Sequence, residues 1–363
     1  LHHPQGRNEH TLAGIMDSTI TPMGGRLLRR WIAEPIRDRQ RLQARHDSIG
    51  ALLETRAYES LRDLFRSVGD IERILARVAL GSARPRDLTT LRQALGVLPE
   101  IKSVLLQTHR EPLTGSGEAI ECLPEVFDLL CNTLVEEPPV LVRNGEVIAR
   151  GYDEELDELR DLSENANDFL REYEERQREE SGIPGLKVGY NRVHGYFIEI
   201  THAHQDKVPL HYKRRQTLKA AERYITEELK AFEDQVLSSR ERAQARELHC
   251  YEELVKSLQA DLEQLQAVAT TIARLDVLCA FTERAITLDF CCPDITDETG
   301  IDIRDGRHPV IEQVQAESFT PNDTKMDPQR RMLIVTGPNM GGKSTFMRQT
   351  ALICLLAYSG SWV

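Results

Sequence analysis

The stretch that most constrains this chain is residues 337–345, Gly-Pro-Asn-Met-Gly-Gly-Lys-Ser-Thr. It fits G-x-x-x-x-G-K-[ST], a loop whose glycines let backbone N–H groups turn inward around phosphates. Its flanks fit too. The apolar run 332–335 reads as a buried strand and 343–358 as a helix, and the positive N-terminal end of such a helix favours an anion. Strand, glycine-rich loop and helix open an α/β domain. On this pattern Gly337, Pro338, Asn339, Met340, Gly341, Gly342, Lys343, Ser344 and Thr345 cradle phosphates. Lys343 is expected to reach the β- and γ-phosphates and Ser344 to ligate Mg²⁺.

A second feature stands against the composition of the whole. The chain has 363 residues and a formal charge of −12, with 40% apolar and 29% charged residues. These values exclude collagen-like, low-complexity or largely disordered chains. Within this acidic chain, residues 207–223 hold Lys207, Lys213, Arg214, Arg215, Lys219 and Arg223 against the single acid Glu222. Such a patch can neutralise phosphates along a duplex without reading its sequence. Lys213, Arg214, Arg215 and Lys219, with Asn191 nearby, are the candidate DNA-binding residues. The competing assignment pairs these cations with the thirteen acids of residues 153–180.

The remaining candidates are bland. The seven cysteines show no C-x-x-C pair and no histidines at zinc spacing, so they read as reduced, packed thiols. His308 before Pro309 reads as a loop residue, and no Ser-His-Asp grouping suggests a catalytic residue. No apolar run is expected to reach the ~18 residues of a membrane span.

Periodicity gives the organisation. Residues 11 to about 135 read as short helices. Leu27, Leu28 and Trp31 follow a loop at 21–25, Val68, Ile71, Leu75 and Val78 form a stripe, and Leu88, Leu91 and Leu95 follow Pro85. Residues 108–117 read as a loop and 138–152 as a hairpin. A long acidic helix is expected over 153–180 and a second from 227 to about 278, packed side by side as a coiled-coil-like arm. Between them, 186–190 and 196–200 read as strands of a small β element at the arm's tip. Residues 301–303 are a further strand candidate. The fold class is therefore mainly α, a helical core domain with a long arm and a β tip, followed by the opening of an α/β P-loop domain.

These residues resemble the MutS family of DNA mismatch repair proteins. The likeness runs through 337–345, Asp17-Ser18-Thr19-Ile20-Thr21-Pro22-Met23-Gly24, Asp70-Ile71-Glu72-Arg73-Ile74 and 138–143. It continues through 151–157, His194-Gly195-Tyr196-Phe197-Ile198, 214–219 and 306–310. The resemblance implies a core or lever domain over 1–166, a DNA clamp over 167–226, a returning lever helix over 227–290 and the start of an ABC-type ATPase domain over 291–363. It implies ATP and Mg²⁺ as cofactors, Phe319 stacked on adenine, and mismatched duplex DNA as ligand. It also implies a homodimer, a MutL-type repair protein as partner, no membrane, and a cytoplasmic, nucleoid-associated place in a bacterium. Ala220 departs from the family's usual Asn, which puts one phosphate contact in doubt. The chain is expected to be a piece of a longer DNA-dependent ATPase, without the acidic strand and signature loop that turnover needs. The rival readings are a long-armed structural ATPase of the chromosome-maintenance type, a P-loop kinase and a DNA-binding module with an inert P-loop.

Overall fold

Helical spacing and capping account for most elements. In chain order they begin α1 (Leu12–Met16), α2 (Pro22–Ala33), α3 (Arg39–Thr55), α4 (Ala57–Phe65), α5 (Ile71–Ala79), α6 (Pro85–Gln107), α7 (Glu111–Glu118) and α8 (Pro124–Thr133). Thr11, Thr21, Asp38 and Asp70 each accept a backbone N–H of the turn that follows, which sets the starts of α1, α2, α3 and α5. Then come α9 (Glu154–Glu164), α10 (Ala166–Ser181), β1 (Lys187–Asn191), β2 (Gly195–Thr201), β3 (Lys213–Thr217) and β4 (Ala221–Ile225). The chain continues with α11 (Glu227–Leu258), α12 (Leu262–Thr287), β5 (Ile301–Gly306), α13 (Ile311–Val314), β6 (Asn322–Met326) and α14 (Lys343–Ser359). The computed structural model describes residues 10–164, 166–191, 195–315, 318–338 and 341–363. It is mainly helical with small antiparallel sheets, in two compact units.

The first unit comprises Leu1–Ala83, Asp87–Leu130 and Ser257–Val363. Its axis is α12, which packs on α2, α3, α4 and α5. Leu265, Val268, Ile272, Leu275, Leu278 and Phe281 are buried along it, each worth roughly 1.5–3 kcal/mol on burial. By length and composition α12 is apolar enough to cross a membrane, which corrects the expectation that no run qualifies. Most of that window is buried inside the protein. At its centre the buried Asp276 carboxylate accepts from Ile20 N (3.0 Å), Thr21 N (2.7 Å) and Thr21 Oγ1 (2.7 Å). It thereby holds the start of α2. Burial raises the Asp276 carboxyl pKa, and these bonds oppose the rise.

Two expected loops of this unit are helical. Residues 22–25 form the first turn of α2, because Thr21 caps it and Gly24 lies flat against Asp276. A Cβ on Gly24 would meet Asp276 Oδ2 at 2.2 Å. Residues 111–118 form α7, where Pro112 suits the first turn and Leu113 is buried. Ser116 Oγ donates to the Pro112 carbonyl at 2.9 Å.

The expected strand over 332–335 is not formed. Met332, Ile334 and Val335 are 76, 81 and 41% exposed. A strand of that composition is stable only between neighbours in a buried parallel sheet. Among the described residues this unit offers only the two-stranded β5–β6 sheet. The opening of a parallel α/β domain is therefore not displayed, although α14 matches the helix expected after the loop.

The second unit comprises Arg84–Arg86 and Cys131–Lys256. Its sheet is antiparallel with order β1-β2-β4-β3. Tyr196, Ile198, Ile200 and Tyr224 share one face and form a core with Tyr173, Ile183, Leu186, Tyr212 and Leu229. Tyr212 Oη donates to Gln177 Oε1 at 2.6 Å, so a buried phenol is satisfied. β3 and β4 were not foreseen, because charged residues mask their alternation.

The expected hairpin over 138–152 is replaced by an isolated bridge between Leu134 and Ile148 and a 3₁₀ turn at Val142–Asn144. A side chain stands in for the missing strand. The buried Glu247 carboxylate accepts from Val147 N (2.6 Å), Ile148 N (3.0 Å) and Arg160 Nη2 (2.8 Å). The long helix expected over 153–180 is helical in every described residue from Glu154 to Ser181, as α9 and α10 on either side of position 165, whereas the one expected over 227–278 is two elements, α11 and α12, parted by the turn at 259–261.

Candidate functional site

The glycine-rich segment lies at the start of α14, in the first unit. Gly342 caps the helix in the left-handed region (φ 82°) and no side chain caps its first turn. The first-turn N–H groups are thus left for another acceptor. Phe346 N donates to Gly342 O at 2.9 Å and Gly341 N to Pro338 O at 3.1 Å, which curls the loop. Lys343 folds back over it, and its ammonium donates to the carbonyls of Gly337 and Pro338. Ser344 is exposed and Thr345 half-buried. Asn339 and Met340 lie outside the described residues. Phe319 is half-buried in the segment before β6, and no hydrogen bond or ring contact joins it to the loop among the described residues.

α14 is anchored at its middle and its far end. Gln349 Nε2 donates to Gly306 O at 2.8 Å, and Arg45 Nη1 to Ser359 O at 2.5 Å. Ile36 N donates to Tyr358 O at 2.9 Å. The loop is therefore carried on a helix held at its other end. His308 acts in the backbone, its Nδ1 accepting from Val310 N (3.2 Å) and Ile311 N (3.1 Å) at the start of α13.

The basic segment forms the β3–β4 hairpin of the second unit. Three of its candidate cations are paired, though not with the acids of 153–180. Lys213 Nζ meets Glu227 at 3.0 Å, Arg214 Nη1 meets Glu222 at 3.3 Å and Arg215 Nη1 meets Glu233 at 3.1 Å. Burial separates the three. Side chains of Lys213 and Arg214 are 69% and 62% exposed, whereas Arg215 is 29% exposed against a Glu233 that is 12% exposed. A bulge between Arg214 and Gln216 turns Arg215 inward. There its Nη1 also donates to the Tyr196 carbonyl at 3.1 Å.

Lys219 sits exposed at the β3–β4 turn and pairs with no acid among the described residues. Asn191 is not beside these groups. It ends β1, the edge opposite β3. The registers Asn191↔Gly195 and Thr201↔Ala221 put Asn191 and Lys219 at opposite ends of the sheet as well.

Neighbouring groups tune one another. The Tyr224 hydroxyl, donating to Glu222 at 2.5 Å, holds the Glu222 carboxyl below its ordinary value, helped by Arg214 and opposed by burial. In return Tyr224, by burial first and then by Glu222, is pushed up to about 12. Lys213 lowers Glu227. Arg223, counted in the basic run but not among the candidate DNA-binding residues, has its guanidinium 3.9 Å over the Phe197 ring. It is bonded to Glu199 (3.0 Å) and Gln216 (3.1 Å). All seven cysteines are free, and no metal-binding cluster of His, Cys, Asp or Glu occurs among the described residues.

Family comparison covers both regions. MutS domain III matches residues 1–282, which take in the α12 bundle and the whole four-stranded sheet. MutS domain V matches residues 333–363, which take in the glycine-rich loop and α14. The first match alone spans well over half of the chain, and with it this chain belongs to the MutS family, a family of DNA mismatch repair.

Proposed function

We propose that the β3–β4 hairpin grips the phosphate backbone of duplex DNA and that the glycine-rich loop takes up ATP, so that the chain works in mismatch repair as a nucleotide-responsive DNA clamp. The observation that carries the DNA reading is the exposure of Lys213, Arg214 and Lys219 on one hairpin of an acidic chain. The Lys213–Glu227 pair is exposed at both ends and contributes only about 0–1 kcal/mol, so a phosphate can displace Glu227; the exposed Arg214 can turn to a phosphate while the buried Glu222 keeps the Tyr224 hydroxyl. Arg215 belongs to the frame instead, since its own side chain is only 29% exposed and it bridges Glu233 and the Tyr196 carbonyl.

The loop suits a phosphate on three counts: an uncapped helix start, glycines at Gly337 and Gly342 with open space around them, and a lysine held only by neutral carbonyls. Lys343 would exchange those carbonyls for phosphate oxygens, and the Ser344 hydroxyl is the group placed to hold Mg²⁺. Bound Mg²⁺ would supply charge neutralisation across the phosphates. Phe319 is proposed to face the base. A homodimer, a MutL-type partner and a bacterial cytoplasmic setting belong to this reading on the family's account alone.

Anisotropy titration of labelled matched and mismatched duplexes at three salt concentrations tests the DNA part. Each phosphate contact contributes a log–log slope of about −0.9. Replacing Lys213 and Arg214 by Ala should flatten the slope by up to about two units, equally on both duplexes. Arg215→Ala should change it less and lower the melting temperature more. An unchanged slope for the double variant, or a loss confined to the mismatched duplex, removes the assignment.

A further inference from the structure

The second unit carries another concave feature, on the edge of the sheet opposite the basic hairpin. A groove of about 570 Å³ lies between α10, β1 and α11, within the ~300–1,000 Å³ typical of ligand sites. Leu170, Val188 and Val236 make it apolar. Tyr190 and Tyr196 form an aromatic wall with centroids 4.9 Å apart. Tyr190 is 52% exposed and Leu237, which also lines the groove, is 43% exposed.

Arg171 of α10 and Arg240 of α11 also line it, and neither has an ion-pair partner among the described residues. Most described arginines of this unit are paired, among them Arg176, Arg178, Arg223 and Arg242; Arg171 and Arg240 are not, and both face the one groove. The one lining acid, Glu174, is already engaged. It accepts from Val188 N at 2.7 Å and pairs with Arg178 at 2.5 Å. It therefore pairs with neither guanidinium of the groove, and it caps the outward N–H of β1 that an added strand would need.

We propose that this groove docks a short acidic segment of a partner protein. One bulky apolar side chain enters between Tyr190 and Leu237, and carboxylates of the segment engage Arg171 and Arg240. Tyrosine and arginine are the residue types that dominate interface cores, and guanidinium–carboxylate pairing gives the geometric specificity. Nucleic acid suits the groove less. Asp168 and Glu175 lie one turn either side of Arg171 on α10, so a continuous phosphate chain would meet like charge where a peptide with one or two carboxylates need not.

The test pans a random heptapeptide phage library against the chain and labels the most enriched peptide for fluorescence polarisation. Enriched peptides should combine Asp or Glu with one aromatic or leucine residue. Arg171→Glu and Arg240→Glu should each weaken binding about tenfold or more, and Tyr190→Ala should weaken it as well. Lys230→Glu, an exposed cation of α11 outside the groove, should stay within about twofold. Should a reversal shift the melting curve, Arg171→Gln and Arg240→Gln repeat the measurement. The proposal is overturned by enrichment without acidic residues, by an affinity that ignores both arginines, or by single-stranded oligothymidine that displaces the peptide and depends on the same arginines.

Discussion

Each unit hangs an irregular stretch of chain on one buried helical carboxylate, and the two differ in what neutralises it. In the first unit Asp276 takes two N–H groups and a hydroxyl from residues 20 and 21. It has no cation in hydrogen-bond reach among the described residues, and burial raises its pKa. In the second, Glu247 takes the N–H groups of Val147 and Ile148 and is paired with Arg160, itself only 13% exposed. The residues held this way, 20–21 and 147–148, lie in or beside stretches that carry the family likeness. Their residues are constrained because non-repetitive backbone must find its hydrogen bonds in the interior.

The difference predicts unequal losses. Glu247→Ala strands a nearly buried guanidinium and two N–H groups, so it should cost about 3–5 kcal/mol. Urea unfolding followed by a probe in each unit should show the loss in the second unit only. Asp276→Ala leaves neutral donors unsatisfied and should cost about 2–4 kcal/mol, confined to the first unit. Gly24→Ala should act in the same direction, since its Cβ collides with Asp276. Equal loss in both units from either change would show that the carboxylates do not act locally. Asp276 also gives a sign in pH. Its folded pKa lies above the ordinary 3.8, so folding takes up a proton in that window. On this account the first unit gains stability as pH falls through the folded value, and Asp276→Ala should abolish the gain.

The same contrast separates the two candidate sites. Arg215 is locked by an opposite charge, Lys343 only by carbonyls of its own loop. Lys343 should therefore be free to move to a ligand without harm to the fold. Lys343→Ala should weaken ATP binding ten- to a hundredfold by calorimetry, about 1.5–3 kcal/mol, while the melting curve stays put. ATP binding that is indifferent to this change would end the nucleotide assignment.

Much of the helical architecture was legible. Val68, Ile71, Leu75 and Val78 are all buried, as their spacing required. The break between α11 and α12 was not legible, because Leu258 and Leu262 keep a four-residue spacing across the turn at 259–261 and imitate one more helical turn. The strand over 332–335 failed for the opposite reason. Its composition reports a buried sheet, yet burial depends on neighbours that a local pattern cannot show. At the hairpin, the charge run was visible while its pairing with Glu222, Glu227 and Glu233 was not, since those partners are set by register and by α11.

The smallest effect expected concerns alkaline pH, where the comparison between units reverses. Burial raises the phenols of Tyr173, Tyr196, Tyr212 and Tyr224 in the second unit. For Tyr224 the ordinary 10.0 becomes about 12. A folded pKa above the unfolded one means that the stability it contributes is complete below 10.0 and is lost as pH rises through about 12. The sheet of the second unit should thus melt on the alkaline side before the α12 bundle does. Tyr224→Phe should cost about 1 kcal/mol at neutral pH by removing one hydrogen bond, and it should flatten the alkaline arm of the stability curve. Tyrosinate absorbance recorded beside circular dichroism follows both events. If phenol ionisation precedes any loss of sheet signal, the tyrosines titrate without unfolding and the buried face of the sheet contributes less than its packing implies.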